Sequence, residues 1–365
     1  MEKQYISEIV INNFRNYVNR KIEFFSDFNV IVGANGVGKT NILEAISIFS
    51  NSRGLRNAEI SELININTIK QKILFSLFIR FFNFNLKNKL VIIQEEGGKT
   101  IKFNDETLKK SSQLTDMIKI TYLTPQMDGF FTGSSSDRRK FVDKTAELLF
   151  VNHYDNVKKY EFFIKERIKI LTTQTTKDKW LDIVERKIAE LGTSIANVRN
   201  ETIGYLNKIF ENYTNNFPTG HLILNGEVET QLRTKKSMEI EDNYRRILSD
   251  NRSGDMQSKK TTFGVHRSDI DVFNKDKNIK ASLCSTGEQK MLLISLIIVR
   301  TLFSKKINRG VPVLLLDEIC SHIDNNAKLN LFEELKKLDV QVFLTGINRS
   351  DFTDLTNNFI ELCSS

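Results

Sequence analysis

Eight residues, Gly33-Ala34-Asn35-Gly36-Val37-Gly38-Lys39-Thr40, separate a short apolar run from a helix-forming one. Phe28–Val32 before them suits a buried strand. Thr40-Asn41-Ile42-Leu43-Glu44-Ala45-Ile46 after them begins a helix. The glycines let the backbone wrap an anion closely, with several N–H groups turned inward. The positive end of the helix dipole faces the same point. Strand, glycine-rich turn, Lys and Thr therefore predict a phosphate-binding loop. Gly33, Ala34, Asn35, Gly36, Val37 and Gly38 cradle the anion, Lys39 reaches the β- and γ-phosphates of ATP, and Thr40 ligates Mg²⁺.

The partner of that loop lies near the other end of the chain. Val313-Leu314-Leu315-Leu316 reads as a buried strand and ends in Asp317-Glu318. Asp317 is predicted as the second Mg²⁺ contact and Glu318 as the carboxylate that polarises attacking water. Asp324, in Ser321-His322-Ile323-Asp324, is placed to touch a second copy of the site. An acidic strand end alone could simply face solvent; coupled to a phosphate loop it completes an ATP site. A large insertion must then separate two parts of one sheet.

Ser285-Thr286-Gly287-Glu288-Gln289 opens the mostly apolar helix Glu288–Phe303. Ser and Gly at a helix N-terminus make an anion site. Similar motifs in the ATP-binding-cassette (ABC) superfamily bind the γ-phosphate held by another subunit. On that resemblance Ser285, Gly287, Glu288 and Asp324 serve a partner's nucleotide. The plain alternative is an N-cap, Ser285 or Thr286, with Gln289 closing a capping box.

The chain has 365 residues, enough for two domains or one with a sizeable insertion. Lys and Arg number 53 against 45 Asp and Glu, a net charge of +8 that favours a polyanionic partner modestly. Cys284, Cys320 and Cys363 form neither a metal spacing nor an even disulfide framework. No signal peptide and no membrane span is read from the sequence, so a cytoplasmic protein without a membrane partner is expected.

Strands are predicted at Tyr5–Ile11, Arg20–Phe24, Ile73–Phe82, Lys89–Gln94, Thr100–Phe103 and Ile118–Leu123, the last ending at Thr124-Pro125-Gln126. Helical patterning starts near Ser136. Leu181, Val184, Ile188, Leu191, Ile195 and Val198 alternate by three and four, and the helix could run to about Asn215, near 50 Å. Tyr154, Val157, Ile164, Ile168 and Leu171 form a looser stripe before it. The two predict a helical hairpin, as a coiled coil or within a compact lobe. Lys235–Lys260 reads as a helix and loop, and strands resume at Thr261–Val265 and Val340–Thr345. The expected fold is α/β: an ABC-type P-loop ATPase head from residues 1–135 and 258–365, with an inserted helical, hairpin-containing lobe at 136–257.

Several further segments resemble the RecF family, relatives of the SMC and Rad50 ATPases. Asn13-Phe14-Arg15-Asn16-Tyr17 is similar to the family's N-terminal motif. Arg53-Gly54-Leu55-Arg56 with Glu62-Leu63-Ile64 resembles its basic segment after the P-loop helix. Gly133 and Asp137–Asp143 resemble its double-arginine segment. Thr262–Asp269 resembles its Gly-Pro-His-Arg element, with Val265 where proline is usual. Glu288 stands where glutamine is usual. Gln126 falls where cassette enzymes sense Mg²⁺ and water, and RecF proteins often carry an acidic residue. Thr345-Gly346-Ile347-Asn348 occupies the place of a γ-phosphate-sensing histidine, and neither His266 nor His322 replaces it.

The resemblance implies a DNA-dependent ATPase of recombinational repair with weak hydrolysis. It would bind duplex DNA at or near single-strand gaps as an ATP-bridged homodimer, with RecR and RecO as partners in loading recombinase. Arg53, Arg56, Arg138 and Arg139 are the candidate DNA contacts, since the guanidinium fork suits phosphate. They could equally be a salt-bridge cluster with Glu59, Glu62, Asp137 and Asp143. A transporter ATPase subunit is the alternative, but needs no insertion of this length. A nuclease of the same superfamily would need a further metal-binding domain after Asp324.

Overall fold

The structure, a computed structural model, describes residues 4–50, 54–65, 72–173, 178–213, 216–307, 309–321 and 323–363. By backbone contacts the chain divides into two compact units: residues 1–128, 215–217 and 293–365, and residues 129–214 and 218–292.

The first unit opens with β1 (Tyr5–Phe14), β2 (Tyr17–Glu23) and β3 (Phe28–Val32), then α1 (Lys39–Ser47) and the single-turn α2 (Ile60–Leu63). Next come β4 (Ile73–Asn83), β5 (Leu86–Glu95), β6 (Gly98–Phe103), β7 (Glu106–Thr107) and β8 (Ile118–Leu123). In the second unit follow α3 (Ser135–Ala146), α4 (His153–Thr172), α5 (Asp178–Asn212), β9 (Gly220–Asn225), α6 (Glu227–Gln231), α7 (Ser237–Asp250) and α8 (Arg252–Ser258). β10 (Asp269–Asn274), β11 (Ile279–Lys280) and α9 (Thr286–Lys306) come next, with α9 belonging to the first unit from Leu293 on. β12 (Val311–Leu316), α10 (Asn325–Leu338), β13 (Gln341–Gly346) and β14 (Phe359–Glu361) return to the first unit.

The first unit holds two sheets. One is antiparallel, ordered β2-β1-β4-β5-β6-β7; the other is parallel, ordered β14-β3-β13-β12-β8. β13 lies between β3 and β12, pairing Gly346 with Val32 and Leu344 with Leu316. The C-terminal ends of β3, β13 and β12 therefore sit side by side, where open α/β sheets bind ligands. Continuous apolar runs suit strands buried on both faces: every residue of β12 is buried. α1 packs against β13 and β1, and Ile42, Ile46 and Phe49 join Ile9, Ile11, Leu77, Ile79 and Leu90 in one core. Gln341 stitches the sheets: its side chain accepts from Ile6 N–H (2.8 Å) and donates to the carbonyls of Ile6 (2.8 Å) and Phe25 (2.7 Å). Lys119, the second residue of buried β8, donates to the carbonyls of Ser304 (2.7 Å) and Ile307, satisfying the open end of α9.

In the second unit α4 and α5 pack along each other. α5 has 35 residues, about 52 Å at the helical rise. Its buried face is broader than a two-position seam, taking in Ala189, Gly192, Thr193, Ala196 and Arg199 besides the predicted stripe. Gly192 is small because Tyr244 of α7 lies on it; an added Cβ would stand 2.5 Å from the tyrosine ring. The insertion is thus a compact lobe built on a helical hairpin. It also carries a three-stranded antiparallel sheet, β11-β10-β9. Thr261–Val265, read as a strand, is irregular; the strand begins at Asp269. Phe263 and Val265 are apolar because they fill the lobe core beside Tyr244. The sequence-based lobe limits of 136 and 257 compare with 129 and 292 by contacts, because α3 and the small sheet pack on α5. No helix among the described residues is long and apolar enough to cross a membrane.

Candidate functional site

The turn between β3 and α1 has the backbone its glycines predict. Gly33, Gly36 and Gly38 have φ of 156°, 85° and 103°. A Cβ on Gly38 would also stand 2.5 Å from the Asn16 amide, so this position needs glycine twice over. Asn16 donates to the Val37 carbonyl (3.3 Å) and Tyr17 to the Gly38 carbonyl (3.2 Å). The hairpin turn between β1 and β2 thus braces the loop from outside. Arg15 forms a two-bonded pair with buried Glu44 of α1, both bonds 2.8 Å.

Lys39 is 5 % exposed, and its ammonium donates to the carbonyls of Gly33 (2.7 Å) and Ala34 (2.8 Å). Burial lowers its pKa from the ordinary lysine value, and the charges of Glu318 and Asp317 act to raise it. Thr40 Oγ1 donates to Asp317 Oδ1 at 2.9 Å. The loop and the acidic strand therefore meet as their sequence predicts. Thr345, at the end of β13 and fully buried, adds a second bond to the same oxygen (2.7 Å) and accepts from Glu318 N–H (2.9 Å). It ties the two carboxylate residues to each other. Glu318 is exposed and has φ 51°, a left-handed conformation that costs free energy in a non-glycine residue. Gln126, exposed in the turn after β8, lies on the same edge of the sheet. Asp324 caps α10, accepting from Ala327 N–H (2.9 Å).

The donor set fits nucleotide and Mg²⁺. A buried lysine held only by neutral carbonyls can be recruited by phosphate. The Thr40 hydroxyl and the Asp317 carboxylate are hard oxygens at adjacent positions, as Mg²⁺ requires.

At the second unit's anion motif, Ser285 and Glu288 close a capping box. Glu288 Oε2 accepts from Ser285 N–H (2.8 Å) and Ser285 Oγ (2.9 Å). Gln289, expected to close it, instead donates to the Cys284 carbonyl (2.9 Å). Gly287 is exposed, with open space where a Cβ would stand.

The four candidate arginines separate. Arg53, like His322, lies outside the described residues. Arg56 pairs with Glu44 at 3.4 Å and Asn41 at 3.1 Å, its side chain 36 % exposed. Arg138 holds Asp269 through two bonds (2.8 and 2.9 Å) and donates to the carbonyls of Phe130 and Gly133. Arg139 donates to Ser135 Oγ (2.9 Å) and the Ser268 carbonyl (2.5 Å). The bonded partners of Arg56, Arg138 and Arg139 are not the acids suspected from sequence. His266 Nε2 meets the Thr261 carbonyl (2.9 Å) and Nδ1 meets Tyr160 Oη (2.8 Å), a structural position inside the lobe.

Comparison with known proteins agrees. The profile described as "RecF/RecN/SMC N terminal domain" matches residues 5–364. The "DNA replication and repair protein RecF" of Rhizobium leguminosarum bv. trifolii is 34 % identical over 356 residues, 96 % of this chain and 94 % of that protein. The same-named protein of Rickettsia felis is 33 % identical over 361 residues, 98 % of this chain and 97 % of that protein. Among solved structures, the recombination mediator protein RecF-ATP superposes with a TM-score of 0.85 at 25 % identity, covering 96 % of this chain and 94 % of that one. An Smc head domain from Pyrococcus furiosus shares the fold at TM-score 0.52 and 18 % identity, over 99 % of this chain and 94 % of that one. With a profile matched over almost its whole length and relatives about one-third identical end to end, this chain belongs to the RecF family.

Proposed function

We propose that this chain is an ATP-hydrolysing DNA-binding protein of recombinational repair, which binds duplex DNA at or near single-strand gaps as an ATP-bridged homodimer. The observation that carries the reading is the meeting of Thr40, Asp317, Thr345 and Glu318 at one sheet edge, beside the phosphate loop. Lys39 exchanges two carbonyl partners for phosphate oxygens. Thr40 and Asp317 would hold Mg²⁺, which when bound would neutralise phosphate charge. Glu318, exposed and fixed through its N–H by Thr345, orients and deprotonates the attacking water. Gln126 assists at the rim of the same edge.

Ser285, Gly287 and Asp324 complete the site of a second copy, with Glu288 beside them at the start of α9, and hydrolysis releases the pair. RecR and RecO are the partners that the family membership suggests, with recombinase loading as the outcome. Of the described DNA-contact candidates, Arg56 retains the freest guanidinium. Arg138 and Arg139 are already bonded within their own unit, which favours a structural role for both.

Glu318→Gln tests the reading. It should keep ATP, lose hydrolysis and sediment as a dimer with ATP. Ser285→Arg should bind ATP but stay monomeric. Mixing it with Lys39→Met should restore one composite site. A Glu318→Gln protein that stays monomeric at saturating ATP and DNA, with no recovery in the mixture, would overturn the bridged pair.

A further inference from the structure

The N-terminus of α9 already holds an anion of its own. A serine hydroxyl has one proton to donate. Ser285 gives that proton, and its backbone N–H, to a single oxygen of Glu288. The other Glu288 oxygen is bonded by Lys277, from the turn between β10 and β11. Ser285 and Lys277 are exposed, and the Glu288 side chain is 31 % exposed, so the arrangement stands on an open surface.

We infer that Glu288 is a built-in competitor of the phosphate that docks at Ser285, and that it sets how readily the ATP-bridged pair forms. This rests on the bridging role proposed for Ser285. A phosphate oxygen arriving at the helix end needs the proton that Glu288 holds. It also meets a full negative charge about one helical turn into α9. The carboxylate is ionised at any pH of interest, because the Lys277 bond together with those from Ser285 brings its pKa down to about 2. Charge-assisted bonds are about twice as strong as neutral ones, so a glutamine in its place would release Ser285 more easily. Lys277 opposes Glu288 in this role. It neutralises the carboxylate and offers it another partner when Ser285 turns to the phosphate.

The sign of the effect separates competition from ordinary capping. Loss of a capping-box carboxylate weakens a helix start. If Glu288 were only a cap, Glu288→Gln would leave pairing unchanged or weaken it. Competition predicts the reverse.

The experiment measures the dimer dissociation constant by equilibrium sedimentation with saturating ATP, in the full-length chain carrying Glu318→Gln. Adding Glu288→Gln should tighten the dimer about tenfold, close to 1.4 kcal/mol. Adding Lys277→Gln alone should loosen it. Adding Lys277→Gln to Glu288→Gln should change little, because Lys277 acts through Glu288. If the Glu318→Gln parent dimerises but Glu288→Gln leaves it unchanged or weaker, the competitor role is wrong and the bridging role stands. If the parent and the Glu288→Gln variant both remain monomeric, the bridging role falls and this inference falls with it.

Discussion

The two compact units use charged residues in opposite ways. In the first, the charges at the sheet edge are incompletely matched. Lys39 is held by carbonyls, and Asp317 by two hydroxyls. In the second, the buried cations are fully committed. Arg167 bonds Glu185, Asp255, Thr261 and the Leu248 carbonyl, and Arg199 forms a two-bonded pair with Asp143. Burial alone would raise the Asp143 pKa, but Arg199 and His153 hold that carboxyl well below the usual range. At the sheet edge Lys39 and Asp317 are bonded by neutral groups, whereas Arg167 and Arg199 are bonded to carboxylates. Residue type alone does not distinguish the two.

Removing Arg167 should give the largest stability effect. Arg167→Ala takes the arginine from buried Asp255 and one of the two arginines from buried Glu185, and should cost about 3–5 kcal/mol, read by chemical denaturation. A cost below about 1 kcal/mol, the range of an exposed pair, would erase the contrast between the units.

Thr345→Val keeps the shape and removes the bond to Asp317 and the acceptor for Glu318 N–H. Hydrogen bonds to charged groups are worth about 1.5–3 kcal/mol, so kcat should fall about tenfold or more. ATP affinity should hold, since Lys39 is untouched. Equal losses in both would make Thr345 merely part of the packing.

The arginines sharpen the comparison by salt dependence. Arg56→Ala should lower the log–log salt slope of DNA binding by about 0.9, one phosphate contact. Arg138→Lys with Arg139→Lys, scored on folded protein, should leave that slope unchanged. A slope that falls for the pair and not for Arg56 would reverse the assignment.

His266 gives the smallest effect. Burial lowers its pKa below 6.5, outweighing the bond to the Thr261 carbonyl, which favours the charged ring. The unfolded chain then binds the proton more readily. Stability is fully present above about pH 6.5 and declines as pH falls below it, by at most about 1.4 kcal/mol per unit. His266→Gln should flatten that part of the profile in urea titrations.

The geometry of the proposed nucleotide site was largely legible in the sequence. A phosphate loop is local: glycine positions, Lys39 and Thr40 lie within one turn, and four apolar residues announce the strand that ends at Asp317. The rest was not. Arg138 and Arg139 meet Asp269 and Ser268 only through the folding of the whole lobe. Thr345 acts because β13 lies between β3 and β12, an order that no segment records. The strand β9 and the irregular course of Thr261–Val265 were missed because short apolar runs look alike whether they pair or merely fill a core.

The sharpest test of the contrast is a calorimetric ATP titration of Lys39→Met, paired with its denaturation curve. Lys39 donates only to carbonyls, so the substitution should leave stability within about 1 kcal/mol while abolishing measurable ATP binding. Unchanged affinity for ATP in a folded variant would contradict the account, because the buried lysine would then be structural and the loop would not be the nucleotide site.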